Sequence, residues 1–302
     1  MKLAKLLSLT AAPFALLAAS PALADNHADH AAAAAASNGP ALWKVADEDT
    51  TIYLFGTVHV LPKELEWYDA TIAEALTGSD TVVTEIPMDA ASEAALQQLT
   101  LSKGMLPSGT TLRSLLTPEQ TEIYAAAMAK IGAPAEAFDP FKPWLAGLTL
   151  SILPLMQQGY DPNSGVEKVL LAKVPEKPRD ALETAEFQLG IFDGMPQDAQ
   201  VTFMMEAASG IDEVKPMLDR MVEVWAKGDA DAMAEVMNEG MDDPAVAEAL
   251  LYSRNANWAE WIDTRLDTPG TVFIAVGAGH LAGAKSVQDY LAQKGITTDR
   301  VK

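Results

Sequence analysis

Two stretches of the chain carry residues suited to chemistry. Thr51-Ile-Tyr-Leu-Phe-Gly-Thr-Val-His59 and Thr271-Val-Phe-Ile-Ala-Val-Gly-Ala-Gly-His280 each run from a β-branched and aromatic segment into Gly-x-x-His. Glycine permits a sharp turn where a strand ends. The imidazole that follows is then presented to the crevice outside the strand ends, where open α/β sheets bind ligands. A lone histidine in such a place is most often a hydrogen-bonded core residue. Here the chain has 4 histidines, and His59 and His280 are the two outside its N-terminal stretch. That pairing predicts one shared site.

Carboxylates stand at matching places. Glu85 ends the apolar run Thr81-Val-Val-Thr-Glu85-Ile, and Glu183 ends a weaker strand candidate, Lys177 to Glu183. A carboxylate at the end of a buried strand is costly unless it meets a cation or a metal. A salt bridge to Lys or Arg would satisfy Glu85 equally. Two histidines with one or two carboxylates suit Zn, Mn, Co or Fe(II) with one position open for water. A divalent metal so held acidifies water and polarises a carbonyl, which is hydrolytic chemistry. Glu167 and Arg254 fall on helices. Arg254 could pair with a site carboxylate, hold an anionic transition state, or sit in a surface ion pair. Trp258 and Trp261 share its helical face and read as core packing.

The elements that must position these groups follow from the pattern. Residues 42–45 and 51–55 read as a hairpin turning over Ala46–Thr50. A helix over 67–76 and the strand from Thr81 make a β-α-β unit, which places His59 and Glu85 on one sheet edge. Residues 88–260 read as a mainly helical insertion. Its start signals include the capping box Thr117-Pro118-Glu119-Gln120. Candidate helices cover 144–156, 163–173, 198–209, 212–227, 230–238 and 245–266. A late strand over 271–276, a helix over 280–294 and an edge strand over 297–301 complete the chain. The fold class is therefore α/β: a central, mostly parallel sheet with two strand–Gly-x-x-His–helix units and a large helical insertion.

Composition narrows the function. Residues 1–24 read as a signal peptide: Lys2 and Lys5 precede an apolar run that ends at Ala22-Leu23-Ala24. The run is shorter than the roughly 20 residues that span a bilayer. Residues 25–40 form an Ala-rich spacer holding His27 and His30, and 41–302 a single domain. The expected location is the periplasm or the extracellular space, with no stable membrane span in the mature chain. There is no Cys, so thiol catalysis and Cys-ligated metals are excluded. The formal charge is −21, which repels phosphate backbones and argues against nucleic-acid binding.

The chain resembles the TraB/GumN family, related to the Tiki-type membrane metalloproteases, over most of residues 41–300. The resemblance is carried by Leu42-Trp43-Lys44-Val45, Tyr53 to His59, Val82 to Glu85 and Gly165-Val166-Glu167. It continues in Ala181-Leu182-Glu183-Thr184 with Gln188, in Arg254-Asn255, and in Val276 to Gly283. It implies a mixed α/β fold with a helical insertion and a divalent-metal hydrolase. His59, His280 and Glu85 would then be the metal ligands, and Glu85, Glu183 and Arg254 the catalytic candidates. Glu167 stands where the family has an acidic residue. Three functions are consistent with this. One is a metal-dependent hydrolase acting on a peptide or small molecule. Another is a non-catalytic protein that sequesters a peptide, metal or haem. The last is a metal-free, His-based hydrolase similar to erythromycin-esterase-like proteins.

Overall fold

The computed structural model describes residues 39–239 and 244–302. The expected signal peptide, its expected cleavage site and the His27/His30 stretch up to residue 38 lie outside them.

The chain opens with a hairpin, β1 (Leu42–Ala46) and β2 (Thr50–Thr57), whose turn is held by Asp47 accepting from the backbone of Asp49 and Thr50. A short β3 (Leu61–Pro62) leads to α1 (Ala70–Gly78) and β4 (Thr81–Thr84). The insertion follows as α2 (Ala90–Gly104), α3 (Pro118–Lys130) and α4 (Pro143–Gln157). Next come β5 (Tyr160–Asp161), α5 (Val166–Lys173), β6 (Arg179–Ala181), α6 (Ala185–Asp193) and α7 (Gln197–Ser209). Then α8 (Val214–Ala226), α9 (Ala230–Asn238), α10 (Pro244–Ala247) and α11 (Ser253–Leu266) lead back to the sheet. The chain closes with β7 (Gly270–Gly277), α12 (Val287–Gln293) and β8 (Asp299–Arg300).

Six strands form the central sheet in the order β6-β4-β7-β2-β1-β8. The four from β6 to β2 are parallel, and β1 and β8 close the edge antiparallel. The mixed α/β fold with its helical insertion is thus as expected. One feature of the topology was not legible. β2 and β4 do not pair with each other; β7 enters between them, although it lies nearly 200 residues further along. Its C-terminal end, with Gly277 and His280, therefore emerges between the ends that carry His59 and Glu85. Pairing of β2 with β7 sets Gly56 opposite Val276 and Thr57 opposite Gly277.

Helices cover both faces, so the central strands are apolar throughout rather than alternating. Phe55, Val82 and Phe273 pack with Ile72, Leu76 and Trp225 on one side. Leu54, Val83 and Ile274 pack with Trp258, Ile262 and Leu291 on the other. The insertion has its own core around Trp144, Phe203 and Met204.

Three expected elements differ. The strand over 177–183 is paired only at Arg179–Ala181, although Leu182 N and Glu183 N still donate to Thr84 O and Glu85 O. The helix over 245–266 holds a π-helical turn at Glu248–Tyr252. The helix expected from His280 starts only at Val287; His280 lies in a 3₁₀ turn, Ala278–Leu281. Positive φ at Gly283 (70°) and Lys285 (58°) breaks the chain between the two.

Candidate functional site

At the C-terminal ends of β2, β7 and β4, the five expected residues His59, His280, Glu85, Glu183 and Arg254 converge. A methyl group built on Gly277 would lie 3.2 Å from Glu85 Oε1, 3.5 Å from His280 Cδ2 and 3.9 Å from His59 Nε2. Both imidazoles thus face one small space, and Gly277 keeps it open by lacking a side chain.

Each ring is held from behind through Nδ1. His59 Nδ1 is 2.6 Å from Glu167 Oε1, and Thr57 Oγ1 donates to the same oxygen at 2.5 Å. Glu167 sits in the first turn of α5, where the helix dipole favours a carboxylate. The His59 loop docks on that helix end. Val166 N donates to Val58 O at 3.0 Å, and a side chain at Gly165 would drive into the His59 carbonyl.

His280 is fully buried. Its Nδ1 is 2.6 Å from Asn255 Oδ1, and Asn255 Nδ2 donates to Lys285 O at 2.8 Å. That second bond fixes Oδ1 as the acceptor, so His280 carries its proton on Nδ1. Lys285 is the one non-glycine residue with positive φ among the described residues. The conformation costs energy, and here its carbonyl orients Asn255. His280 Nε2 then accepts from Arg254 Nη1 at 3.2 Å. Burial and the Arg254 charge lower the His280 pKa to about 3. The ring is neutral at physiological pH.

Arg254 is the hub, and it is buried rather than part of a surface ion pair. Nε donates to Glu183, Nη2 to Glu85 Oε2 at 2.6 Å and to Glu183 Oε2 at 2.9 Å, and Nη1 to Leu250 O and His280. A guanidinium has five N–H donors, and all are spent on the protein. None remains for a substrate anion in this conformation. Glu183 is spent as well, accepting from Arg254, Gln188 and Trp258. Glu85 differs. Its Oε2 takes Arg254 and Gln188, but its Oε1 accepts only Gly277 N and lies 4.0 Å from His280 Nε2. Burial pushes the Glu85 pKa up, but Arg254, the histidines and the Gly277 amide outweigh it and hold it at about 2.

Four supporting groups were not assigned from the sequence: Thr57, Gln188, Asn255 and the indole of Trp258. Trp258 is core, as expected, but its Nε1 also donates to Glu183 Oε1 and its ring lies 4.3 Å from that of His280. Trp261 packs on the sheet face, away from these contacts.

These values set an acid limit on the metal-free protein. A buried neutral His280 takes up its proton near pH 3 when folded, against an ordinary 6.5 when unfolded. Its stabilising effect is whole above about 6.5 and drains away as pH falls towards 3. Glu85 acts in the same sense between 4.5 and about 2. Stability should fall by on the order of 4 kcal/mol between pH 7 and pH 4. Denaturant midpoints at those pH values check this; an unchanged midpoint would contradict a buried neutral His280.

As a metal centre, the donor set is half complete. Two imidazoles with tied-off Nδ1 atoms and a carboxylate oxygen around one cradle are the chemistry a divalent cation takes. Against that, no group of three His, Asp or Glu side chains among the described residues is already placed to hold a metal. The Nε2 of His280 is instead turned to Arg254. The formal charge favours a cation: Glu85 and Glu183 face one guanidinium and the neutral His280, a surplus of one negative charge, and Glu167 stands as a further carboxylate behind His59.

No helix among the described residues is long and apolar enough to cross a membrane. The model of the TraB/PrgY/gumN family matches residues 41–300. Comparison with curated proteins returns no match, and comparison with solved structures returns none either.

Proposed function

Since the chain belongs to the TraB/PrgY/gumN family, we propose that it is an exported, periplasmic hydrolase of peptides or related small carbonyl compounds, with His59 as the proton-transfer group. The carrying observation is the 2.6 Å contact between His59 Nδ1 and Glu167 Oε1, with Nε2 facing the space beside Gly277. A carboxylate behind Nδ1 fixes the tautomer and leaves Nε2 able to take a proton from water attacking a carbonyl. The resulting imidazolium is stabilised by Glu167. The same Nε2 then returns the proton to the leaving group. Neutral His280 and the Oε1 of Glu85, which accepts from Gly277 N, wall the opposite side.

A second reading keeps the expected divalent metal, Zn, Mn, Co or Fe(II). It is favoured by the surplus negative charge and by the two anchored Nδ1 atoms. His59, His280 and Glu85 Oε1 would hold the ion, which when bound supplies Lewis acidity to a carbonyl and lowers the pKa of water. Glu167 and Asn255 would then orient the rings.

The test uses protein recovered from the periplasm, where an N-terminus at Asp25 checks export. Turnover of a mixed peptide library is measured before and after chelation. Under the first reading, turnover survives chelation, and Glu167→Gln lowers kcat by about 10²- to 10⁴-fold with KM little changed. Loss on chelation with recovery on adding metal selects the second reading. Peptide binding without turnover in either state overturns both in favour of a sequestering protein.

A further inference from the structure

Arg254 occupies an unusual position. It is a full positive charge with every donor satisfied, 3.2 Å from the lone pair of a neutral buried imidazole. A metal ion bonded to that nitrogen would sit at about 2.0–2.1 Å from it. That is inside the present Arg254 contact and against the same carboxylate, Glu85, that Arg254 holds through Nη2. Charge repulsion and space both forbid the two together.

We infer that Arg254 is a displaceable internal cation: it and a divalent metal are alternative occupants of the place between Glu85 and His280, so Arg254 sets how tightly the site takes a metal. The inference rests on the metal-binding reading of the site and adds what controls it. Three observations support displacement. A surplus of one negative charge remains after Arg254 is counted against Glu85 and Glu183, so the cluster has room for more positive charge. Glu183 grips the guanidinium on the side away from the histidines, so Arg254 keeps an ion-pair partner when it leaves His280 and Glu85. The π-helical turn Glu248–Tyr252 lies immediately before Arg254 and supplies Leu250 O to it. Such turns are frequent at functional sites.

Glu183 separates the contribution of Arg254 from that of the metal ligands. Its oxygens are turned to Arg254, Trp258 and Gln188, so Glu183→Gln reaches the metal place through Arg254. It removes the partner that Arg254 keeps on leaving, so metal affinity is expected to fall while the guanidinium is present.

The experiment titrates the chelator-stripped mature chain with Zn²⁺ and, separately, Mn²⁺ by calorimetry, with elemental analysis after dialysis. The proteins are wild type, Glu183→Gln and the double variant Arg254→Met/Glu183→Gln. The double variant bears no guanidinium and one carboxylate fewer, so its charge stays close to that of the wild type. The double variant is expected to bind metal at least about 10-fold more tightly than wild type. Removing the ligand ring with His280→Ala in that background should abolish the gain. Glu183→Gln alone keeps the guanidinium but removes the partner it would keep on leaving, so it is expected to bind metal more weakly than the double variant; affinity equal to that of the double variant would show that the guanidinium does not compete and overturns the inference. Equal affinity for wild type and double variant leaves metal binding standing and overturns the competition. No binding by any of the three overturns both, leaving the chelation-resistant His59–Glu167 reading untouched.

Discussion

Gly277→Ala is expected to lower turnover by at least about 10²-fold while leaving the folded protein intact. Gly277 adopts φ −49° and ψ 133°, a conformation alanine takes without strain, so the backbone has no reason to move. The added methyl would stand 3.2 Å from Glu85 Oε1 and within 4 Å of both imidazoles. It would fill the space in which water, or a metal, must meet His59. Both functional readings therefore lose activity, and a sequestering protein whose ligand sits elsewhere does not. Circular dichroism and the thermal midpoint check the fold; turnover and ligand affinity check the site. A variant as active as wild type would mean the chemistry lies elsewhere.

Arg254→Ala is expected to be the most destabilising single change in the site, by about 3–5 kcal/mol in chelator. It strands the buried carboxylates of Glu85 and Glu183 without their cation and removes the guanidinium packed 4.9 Å from the Trp258 ring. Arg254→Lys should recover little, because one ammonium cannot reproduce a fork that serves two carboxylates, a carbonyl and an imidazole at once. Denaturant midpoints measure both variants. A loss below about 1 kcal/mol would show that water already solvates these carboxylates.

Much of this was legible in the chain itself. The apolar, β-branched runs ending in Gly-x-x-His gave the strands and both histidines, because buried parallel strands demand such residues. Glu85 and Glu183 stood out as charges at strand ends. What the pattern could not supply was partnership. Whether Arg254 meets Glu85, Glu183 or solvent depends on β7 entering between β2 and β4, a pairing with no local signal. Asn255 and Thr57 are ordinary polar residues until the fold brings His280 and Glu167 within reach. Gln188 belonged to the resemblance, but its bridge between two carboxylates is a matter of geometry alone. The 3₁₀ turn at His280 was read as helix because its apolar spacing is helical, and the two positive φ values that break it are invisible to periodicity.

The stagger between the two Gly-x-x-His motifs bears on their ancestry. β2 and β7 are parallel neighbours, yet Gly56 stands opposite Val276 and Thr57 opposite Gly277. The motif glycines are thus one residue out of step, and successive residues of a strand point to opposite faces. A copied unit laid beside its original in matched register would aim both imidazoles the same way, one strand apart. Here the offset, with a docked loop after one strand and a 3₁₀ turn after the other, brings them face to face. The shared spelling therefore reads as two independent solutions to ending a strand with a histidine, and a search for an ancestral half-domain built on that repeat would align residues that do not correspond in space.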